Sequence, residues 1–133
     1  MISPPINQNN HWLGKYTAYT TLKFGVTSLA WGMSLEFREH GIGVNTLWPR
    51  TTIGTAGVLE KYGGEEGMRK SRHPGIMADA AYEIMTSNSK KCSGNQFVDE
   101  EVLAVVGVTD FEKYKVDKTV EDKDLVPDVF LDA

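Results

Sequence analysis

The chain has 133 residues, of which 41% are apolar and 24% are charged, so it can bury a core of one ordinary domain. Lys and Arg number 14 against 18 Asp and Glu, and the net charge of −4 excludes the basic footprint of a nucleic-acid-binding protein. The apolar content also excludes a fibrous or fully disordered chain.

The first half of the chain contains one long helical pattern between two short strand-like segments. Two adjacent prolines, Pro4 and Pro5, stop the first segment. After a polar loop at 6–16, apolar residues at spacings of three, four and seven predict a helix over Thr17–His40. Gly43–Trp48 then predicts a strand. The apolar stripe expected to be buried is Leu22, Val26, Leu29, Ala30, Met33 and Phe37, and Gly41 is the expected C-cap.

The second half repeats the alternation. A loop over Arg50–Gly67 is expected to hold a short helix near Ala56–Tyr62. Pro74 suits the first turn of a helix that ends near Thr86, and Asn95–Asp99 predicts a strand. The run Val102–Val108 fits a strand or a buried helix, and residues 109–112 resemble a helix cap that opens one turn.

This element order predicts an α/β fold. Strand end, helix, strand, loop, helix and strand form the second half of an α/β pattern. We therefore predict a partial Rossmann-type doubly wound parallel sheet that lacks its N-terminal half, with one helix on each face. Residues 1–133 form one unit, in which 100–133 is a charged C-terminal tail.

Cysteine usage and hydropathy bear on the cellular setting. Cys92 is the sole cysteine, so an internal disulfide is excluded and a reducing, cytoplasmic compartment is expected. Residues 1–15 lack the apolar segment of a secretory signal. Val102–Val108 is far shorter than the roughly 18–20 residues of a membrane span, so none is predicted. The histidines are scattered, and no metal site is predicted.

Tyr19 and Lys23 are the first candidates for chemistry. They are four residues apart on the long helix and therefore share one face. An ammonium beside a phenol favours the phenolate and brings the phenol toward proton transfer near neutral pH. The same spacing also occurs by chance: Tyr114 and Lys118 repeat it in a charged stretch, where we expect solvated surface. An ordinary structural role for Tyr19 and Lys23 stays open on spacing alone.

Several motifs in order resemble those of the short-chain dehydrogenase/reductase family. Ser3 at a strand end precedes the Tyr19–Lys23 helix, and a strand ending in Trp48-Pro49-Arg50-Thr51 follows it. The resemblance is closest to a hydroxysteroid-dehydrogenase-like subgroup, because three later segments also match it. These segments are Ala78–Tyr82, Ser93–Glu100 and Pro127–Asp132. A longer parent protein of this kind would also allow a mitochondrial or peroxisomal location.

The resemblance implies roles for individual residues. Tyr19 would be the catalytic acid/base and would also contact the cofactor. Lys23 would bind the nicotinamide ribose and lower the pKa of Tyr19, and Ser3 would hydrogen-bond the substrate carbonyl or hydroxyl. Pro49, Thr51, Thr52 and Ile53 would lie beside the nicotinamide of NAD or NADP. Two departures from the family pattern are Arg50 in place of a glycine and Ser3 sixteen rather than thirteen residues before Tyr19.

Two hypotheses follow for function. The first is an NAD(P)-dependent oxidoreductase that interconverts a small-molecule alcohol and carbonyl. The second is a non-catalytic truncated fragment, because the 133 residues contain no Gly-rich turn to hold the dinucleotide phosphates. The small residues Gly25, Ser28 and Gly32 on the other face of the Tyr19 helix would admit a second helix, and the resemblance implies a homo-oligomer there.

Overall fold

The computed structural model describes residues 1–131, so the end of the predicted tail and Asp132 of the last motif lie outside the described residues. The described helices and strands follow in chain order. They are α1 (Asn10–Lys15), α2 (Thr17–Glu36), β1 (Thr46–Trp48), α3 (Ala56–Lys61), α4 (Gly64–Arg69), α5 (Gly75–Thr86), β2 (Gln96–Val98) and α6 (Asp99–Val105). Short 3-10 turns lie at Arg38–His40, Glu112–Tyr114 and Asp122–Asp124.

A small parallel sheet lies at the centre. β1 pairs with β2 in parallel, with Thr46 opposite Gln96 and Trp48 opposite Val98. Ile2 adds a parallel bridge to Leu47 on the other side of β1. The predicted partial α/β fold with a parallel sheet is therefore confirmed.

Helices cover both faces of this sheet, as predicted. Side chains alternate along β1, so Leu47 faces the opposite way from its two neighbours. Leu47 packs in the apolar core with Ile76 and Ala80 of α5. Thr46 borders the same crevice as Thr27 of α2. This arrangement places α2 on one face of the sheet and α5 on the other.

The buried face of α2 differs from the predicted apolar stripe. Leu22 and Leu29 are 64% and 58% exposed. Ala30 of the predicted stripe is buried, but the other buried residues described in this helix are small and polar: Thr20, Thr27 and Ser34. The reason is close approach to the strand region, because a methyl group added at Gly94 would lie 3.0 Å from the Ser34 hydroxyl. Large apolar residues do not fit there, and hydrophobic periodicity does not detect a face of that kind.

Several predicted boundaries need correction. The predicted loop at 6–16 contains α1, whose N-cap Asn9 accepts a hydrogen bond from the His11 amide. The predicted loop Arg50–Gly67 contains α3, as expected, and the start of α4, which was missed. α2 ends at Glu36, before the predicted end, and Gly41 takes a left-handed conformation after the 3-10 turn. The ambiguous run Val102–Val108 starts as helix α6.

Tyr114 also differs from its prediction as solvated surface. It is buried in the same apolar core as Leu47, and its hydroxyl donates to Asp79 Oδ2 at 2.6 Å. The surrounding segment has no regular period, so one buried aromatic side chain leaves no pattern for sequence analysis to detect.

No helix in the described part of the chain is long and apolar enough to cross a membrane.

Candidate active site

The structure brings Tyr19 and Lys23 together at the C-terminal end of β1. Both lie in the N-terminal half of α2, and the Lys23 Nζ atom is 5.7 Å from the centre of the Tyr19 ring. The same Nζ lies 5.0 Å from the centre of the Trp48 ring, at the last residue of β1. It donates a hydrogen bond to the Ile2 carbonyl at 3.2 Å. The ammonium is thus held between the helix, the strand end and the N-terminal segment.

Tyr19 has an environment that opposes ionisation. Its side chain is partly covered, and its ring stacks on Phe130 with the two planes 19° apart. Burial raises the pKa of the Tyr19 phenol, and the Asp128 carboxylate raises it further. The resemblance implies that Lys23 lowers this pKa, whereas the net shift in the folded chain is upward; the lowering by Lys23 stays a prediction. The net rise comes from burial first and then from Asp128, both of which disfavour the phenolate.

The Ser3 side chain is hydrogen-bonded to α2. Its side chain has no exposed surface, and its hydroxyl donates to the Lys23 carbonyl at 2.7 Å. The Thr27 hydroxyl lies 2.8 Å from Ser3 Oγ and 2.7 Å from the Pro4 carbonyl, and it can donate to either. In the described chain the Ser3 hydroxyl is fully buried against the helix, and its predicted contact with substrate stays a prediction. Its hydroxyl instead fixes the backbone of the helix at Lys23.

The loop after β1 lies next to this pair. Pro49 and Thr51 are buried, and the Thr51 hydroxyl has no hydrogen-bond partner within the described 1–131 region. The Thr52 hydroxyl is 2.8 Å from the Ser71 hydroxyl. Ile53 forms a parallel bridge with Arg72. Among the residues predicted to lie beside a nicotinamide, Thr51 therefore keeps an unsatisfied polar atom.

A segment that sequence reasoning gave no role covers this loop. Residues 126–130, here called the C-terminal segment, run along Arg50–Thr52, with an antiparallel bridge between Thr51 and Pro127. Hydrogen bonds hold it along its length. They join Thr52 N to Val126 O (2.9 Å), Asp128 N to Arg50 O (3.0 Å), Trp48 Nε1 to Val129 O (2.9 Å) and Asn7 Nδ2 to Phe130 O (2.8 Å). The Pro127–Asp132 motif was the signal that could have pointed to it.

One buried carboxyl group, Asp99, and one partly buried carboxyl group, Asp128, complete the surroundings. Asp99 is fully buried at the start of α6, where its Oδ1 atom accepts from the Arg50 and Glu100 amides at 2.8 Å. Burial raises the pKa of Asp99 to about 6. Burial also raises the pKa of Asp128 to about 6, with Asp99 adding to the rise and Lys23 opposing it. The site therefore combines one ammonium with two carboxyl groups that titrate near neutral pH.

Comparison with known proteins gives consistent sequence relatives. No family model matches the chain. Hydroxysteroid dehydrogenase-like protein 2 of Xenopus laevis is 42% identical over 131 residues, which are 98% of this chain and 30% of that protein. The human protein of the same name is 39% identical, with the same two coverages. The chain thus spans about a third of the length of the curated relatives it matches.

Solved structures agree with the sequence relatives. A short chain dehydrogenase from Mycobacterium thermoresistibile matches with a TM-score of 0.84 and 42% identity, over 99% of this chain and 45% of that one. A structure named as a dehydrogenase from Xanthomonas campestris matches with a TM-score of 0.89 and 37% identity, over 99% and 47%. The chain and these structures are thus similar in sequence as well as in fold. The predicted resemblance to the short-chain dehydrogenase/reductase family is confirmed.

Proposed function

We propose that this chain, a short-chain dehydrogenase/reductase-like region, forms the catalytic half of an NAD(P)-dependent oxidoreductase that interconverts an alcohol and a carbonyl. The observation that carries the proposal is the place of Tyr19 and Lys23, side by side at the C-terminal end of β1. Ligands of open α/β sheets bind outside the carboxyl ends of the strands. The dehydrogenase names of the relatives and structural neighbours support the oxidoreductase class.

The residues present suit the nicotinamide end of a dinucleotide. The Lys23 ammonium has three N–H donors, of which the Ile2 carbonyl accepts one. The remaining donors fit the neighbouring hydroxyl groups of a ribose. The unsatisfied Thr51 hydroxyl offers a further polar contact on the adjacent loop. The 133 residues hold no Gly-rich turn for the phosphates, so those contacts and the choice between NAD and NADP would come from another segment.

Tyr19 supplies the proton in the proposed reaction. A bound nicotinamide gives or accepts the hydride. During reduction the Tyr19 phenol donates its proton to the substrate carbonyl oxygen, and during oxidation the phenolate takes a proton from the hydroxyl. An ordinary phenol is already protonated at neutral pH, and burial and Asp128 raise the pKa of Tyr19 further, so its hydroxyl carries the proton that it would donate. The charge of Lys23 stabilises the phenolate that remains.

A titration of the folded chain with NADH and NADPH, followed by nicotinamide fluorescence, tests the proposal. We expect saturable binding that Lys23→Ala weakens at least tenfold. Lys118→Ala is the matched control, because Lys118 has the same spacing to a tyrosine, is exposed and lies outside the site. Equal affinities for the two variants would contradict the proposal. A folded chain that binds neither cofactor would favour the non-catalytic fragment, the reading that the missing Gly-rich turn supports.

We further propose that α2 joins two copies of the chain. Its solvent face carries Leu22, Leu29 and Leu35, which are 64%, 58% and 55% exposed. Gly25 and Gly32 lie between them. A methyl group on either would meet no atom of residues 1–131 within 4 Å apart from the neighbouring backbone of the helix. Small residues flanked by leucines let a second helix approach closely and bury apolar surface. A second copy of the same face would complete such a contact with two-fold symmetry.

A further inference from the structure

Phe130 stands at the centre of an aromatic cluster that includes Tyr19. Its side chain is fully buried although it belongs to an irregular segment near the end of the described chain. Four aromatic rings surround it. The centre-to-centre distances from Phe130 are 5.3 Å to Phe24, 5.7 Å to Tyr19, 6.0 Å to Trp12 and 6.2 Å to Trp48. Such separations are typical of favourable ring contacts.

The backbone at Phe130 is held in an uncommon conformation. Its φ angle is 72°, in the left-handed region that bulky L-residues rarely adopt. Hydrogen bonds hold the chain on both sides of this angle, from Trp48 Nε1 to the Val129 carbonyl and from Asn7 Nδ2 to the Phe130 carbonyl. Local strain of this kind persists only where the surroundings over-determine it, and it is concentrated at functional sites.

The Tyr19 ring is partly exposed and packs against Phe130 on one side. It lies on an exposed part of α2, with 41% of its surface accessible. Phe130 packs nearly parallel against its ring, and Lys23 lies 5.7 Å from the ring centre. Without the Phe130 ring, a half-exposed tyrosine would regain freedom about its side-chain bonds. A displacement of about 1 Å is enough to lower a reaction rate by about a hundredfold.

We propose that Phe130 is a positioning residue for Tyr19, so that the C-terminal segment is part of the active site and selects its working geometry. The proposal rests on the proposed function for the role of Tyr19. The link between the Phe130 and Tyr19 rings stands on the structure alone. Phe130 acts through the tyrosine ring and, being fully buried, does not touch substrate.

The test compares Phe130→Leu and Phe130→Ala with a control in the full chain. Leucine keeps most of the apolar volume but not the flat ring, so Phe130→Leu remains informative if Phe130→Ala fails to fold. Leu125→Ala is the matched control, since Leu125 is 6% exposed and directly precedes the C-terminal segment. The readouts are nuclear Overhauser effects between the Tyr19 ring and the Lys23 side chain, the thermal midpoint, and affinity for NADH.

We expect the Tyr19–Lys23 Overhauser effects to fall by at least half in Phe130→Leu and to stay in Leu125→Ala, although both variants lower the thermal midpoint. We expect NADH affinity to fall at least fivefold in Phe130→Leu only. Overhauser effects that persist without the Phe130 ring, or that Leu125→Ala weakens equally, would overturn the proposal. An unchanged NADH affinity in a variant that has lost the Tyr19–Lys23 Overhauser effects would also overturn the proposal. If the unsubstituted chain binds no NADH, the proposed function fails. A loss of the Tyr19–Lys23 Overhauser effects in Phe130→Leu but not in Leu125→Ala would still support the positioning of Tyr19 by the Phe130 ring.

Discussion

Replacing Ser3 by alanine separates a structural serine from one that binds substrate. In the structure the Ser3 hydroxyl is fully buried and lies between the Lys23 carbonyl, at 2.7 Å, and the Thr27 hydroxyl, at 2.8 Å. The Ser3 amide also donates to the Leu47 carbonyl at 3.2 Å, and an alanine would retain that bond. The substitution therefore removes side-chain hydrogen bonding and leaves the backbone pairing intact.

The expected loss follows from which groups remain satisfied. Thr27 can still donate to the Pro4 carbonyl at 2.7 Å, so no buried donor is left without an acceptor. The cost is then that of a hydrogen bond to the helix carbonyl and a small void, about 1–2 kcal/mol of unfolding free energy. For a chain of this size that corresponds to a fall of about 4–8 °C in the thermal midpoint.

The assay is chemical and thermal unfolding followed by circular dichroism, together with NADH titration. Ser89→Ala is the matched control, because the Ser89 hydroxyl also donates to a backbone carbonyl, that of Gly41 at 2.6 Å, but does so at the surface. We expect Ser89→Ala to change the unfolding free energy by less than about 0.5 kcal/mol. Thr27→Val and the double variant complete a cycle, with an expected coupling of about 0.5–1 kcal/mol between the two hydroxyls.

Two results would refute this reasoning. One is a Ser3→Ala chain that is as stable as the unsubstituted chain but turns over a carbonyl substrate more slowly. That result would favour the predicted contact of Ser3 with substrate over a structural role. The other is additivity of the Ser3 and Thr27 substitutions, which would mean that the two hydroxyls are not coupled. A lower stability with unchanged NADH affinity is the expected outcome.

Two further predictions concern Asp128 and Gly25. The pKa of Asp128 is about 6 in the folded chain against an ordinary 3.8, so the folded state binds its proton more tightly than the unfolded state and loses stability as pH rises from about 4 to about 6. Asp128→Asn should therefore raise the unfolding free energy by roughly 1–3 kcal/mol at pH 8 and not at pH 4. Denaturant unfolding at pH 4 and at pH 8 measures this difference. A gain of equal size at the two pH values would contradict the prediction. Gly25→Ala should stabilise the monomer by about 0.5–1 kcal/mol, because glycine inside a helix loses more conformational entropy on folding than alanine. The same substitution should weaken self-association, which sedimentation measures. Unchanged self-association would count against the proposed α2 contact.

Elements with strong local signals were predictable. α5 follows Pro74, which suits a helix start, and its apolar period reaches Thr86, where the helix ends. β1 and β2 were found within their predicted segments, although both are shorter, because a strand ends where its pairing ends and not where its apolar residues end. α1 was missed, since one capping asparagine and six residues give almost no period to detect.

The buried face of α2 was not predictable, because it depends on how closely the helix approaches the strand region. Periodicity favoured the larger apolar residues, such as Leu22 and Leu29, which the structure leaves exposed. The crevice beside Thr46 is lined by Thr27, which the period did not select, and by Ala30, which it did. The exposed leucines then need another explanation, and the proposed contact with a second copy of the chain would supply one.

The candidate site shows the same division between local and distant information. Helical spacing alone places Lys23 beside Tyr19, and the structure has them together. The direction of the Tyr19 pKa shift comes from elsewhere, because burial raises it and Asp128 adds a carboxylate from the opposite end of the described chain. The spacing predicts a phenol tuned toward ionisation, whereas the net pKa shift of Tyr19 in the folded chain is upward. The C-terminal segment therefore sets both the charge around Tyr19, through Asp128, and its position, through Phe130, so the proposed proton donor depends on both ends of the chain.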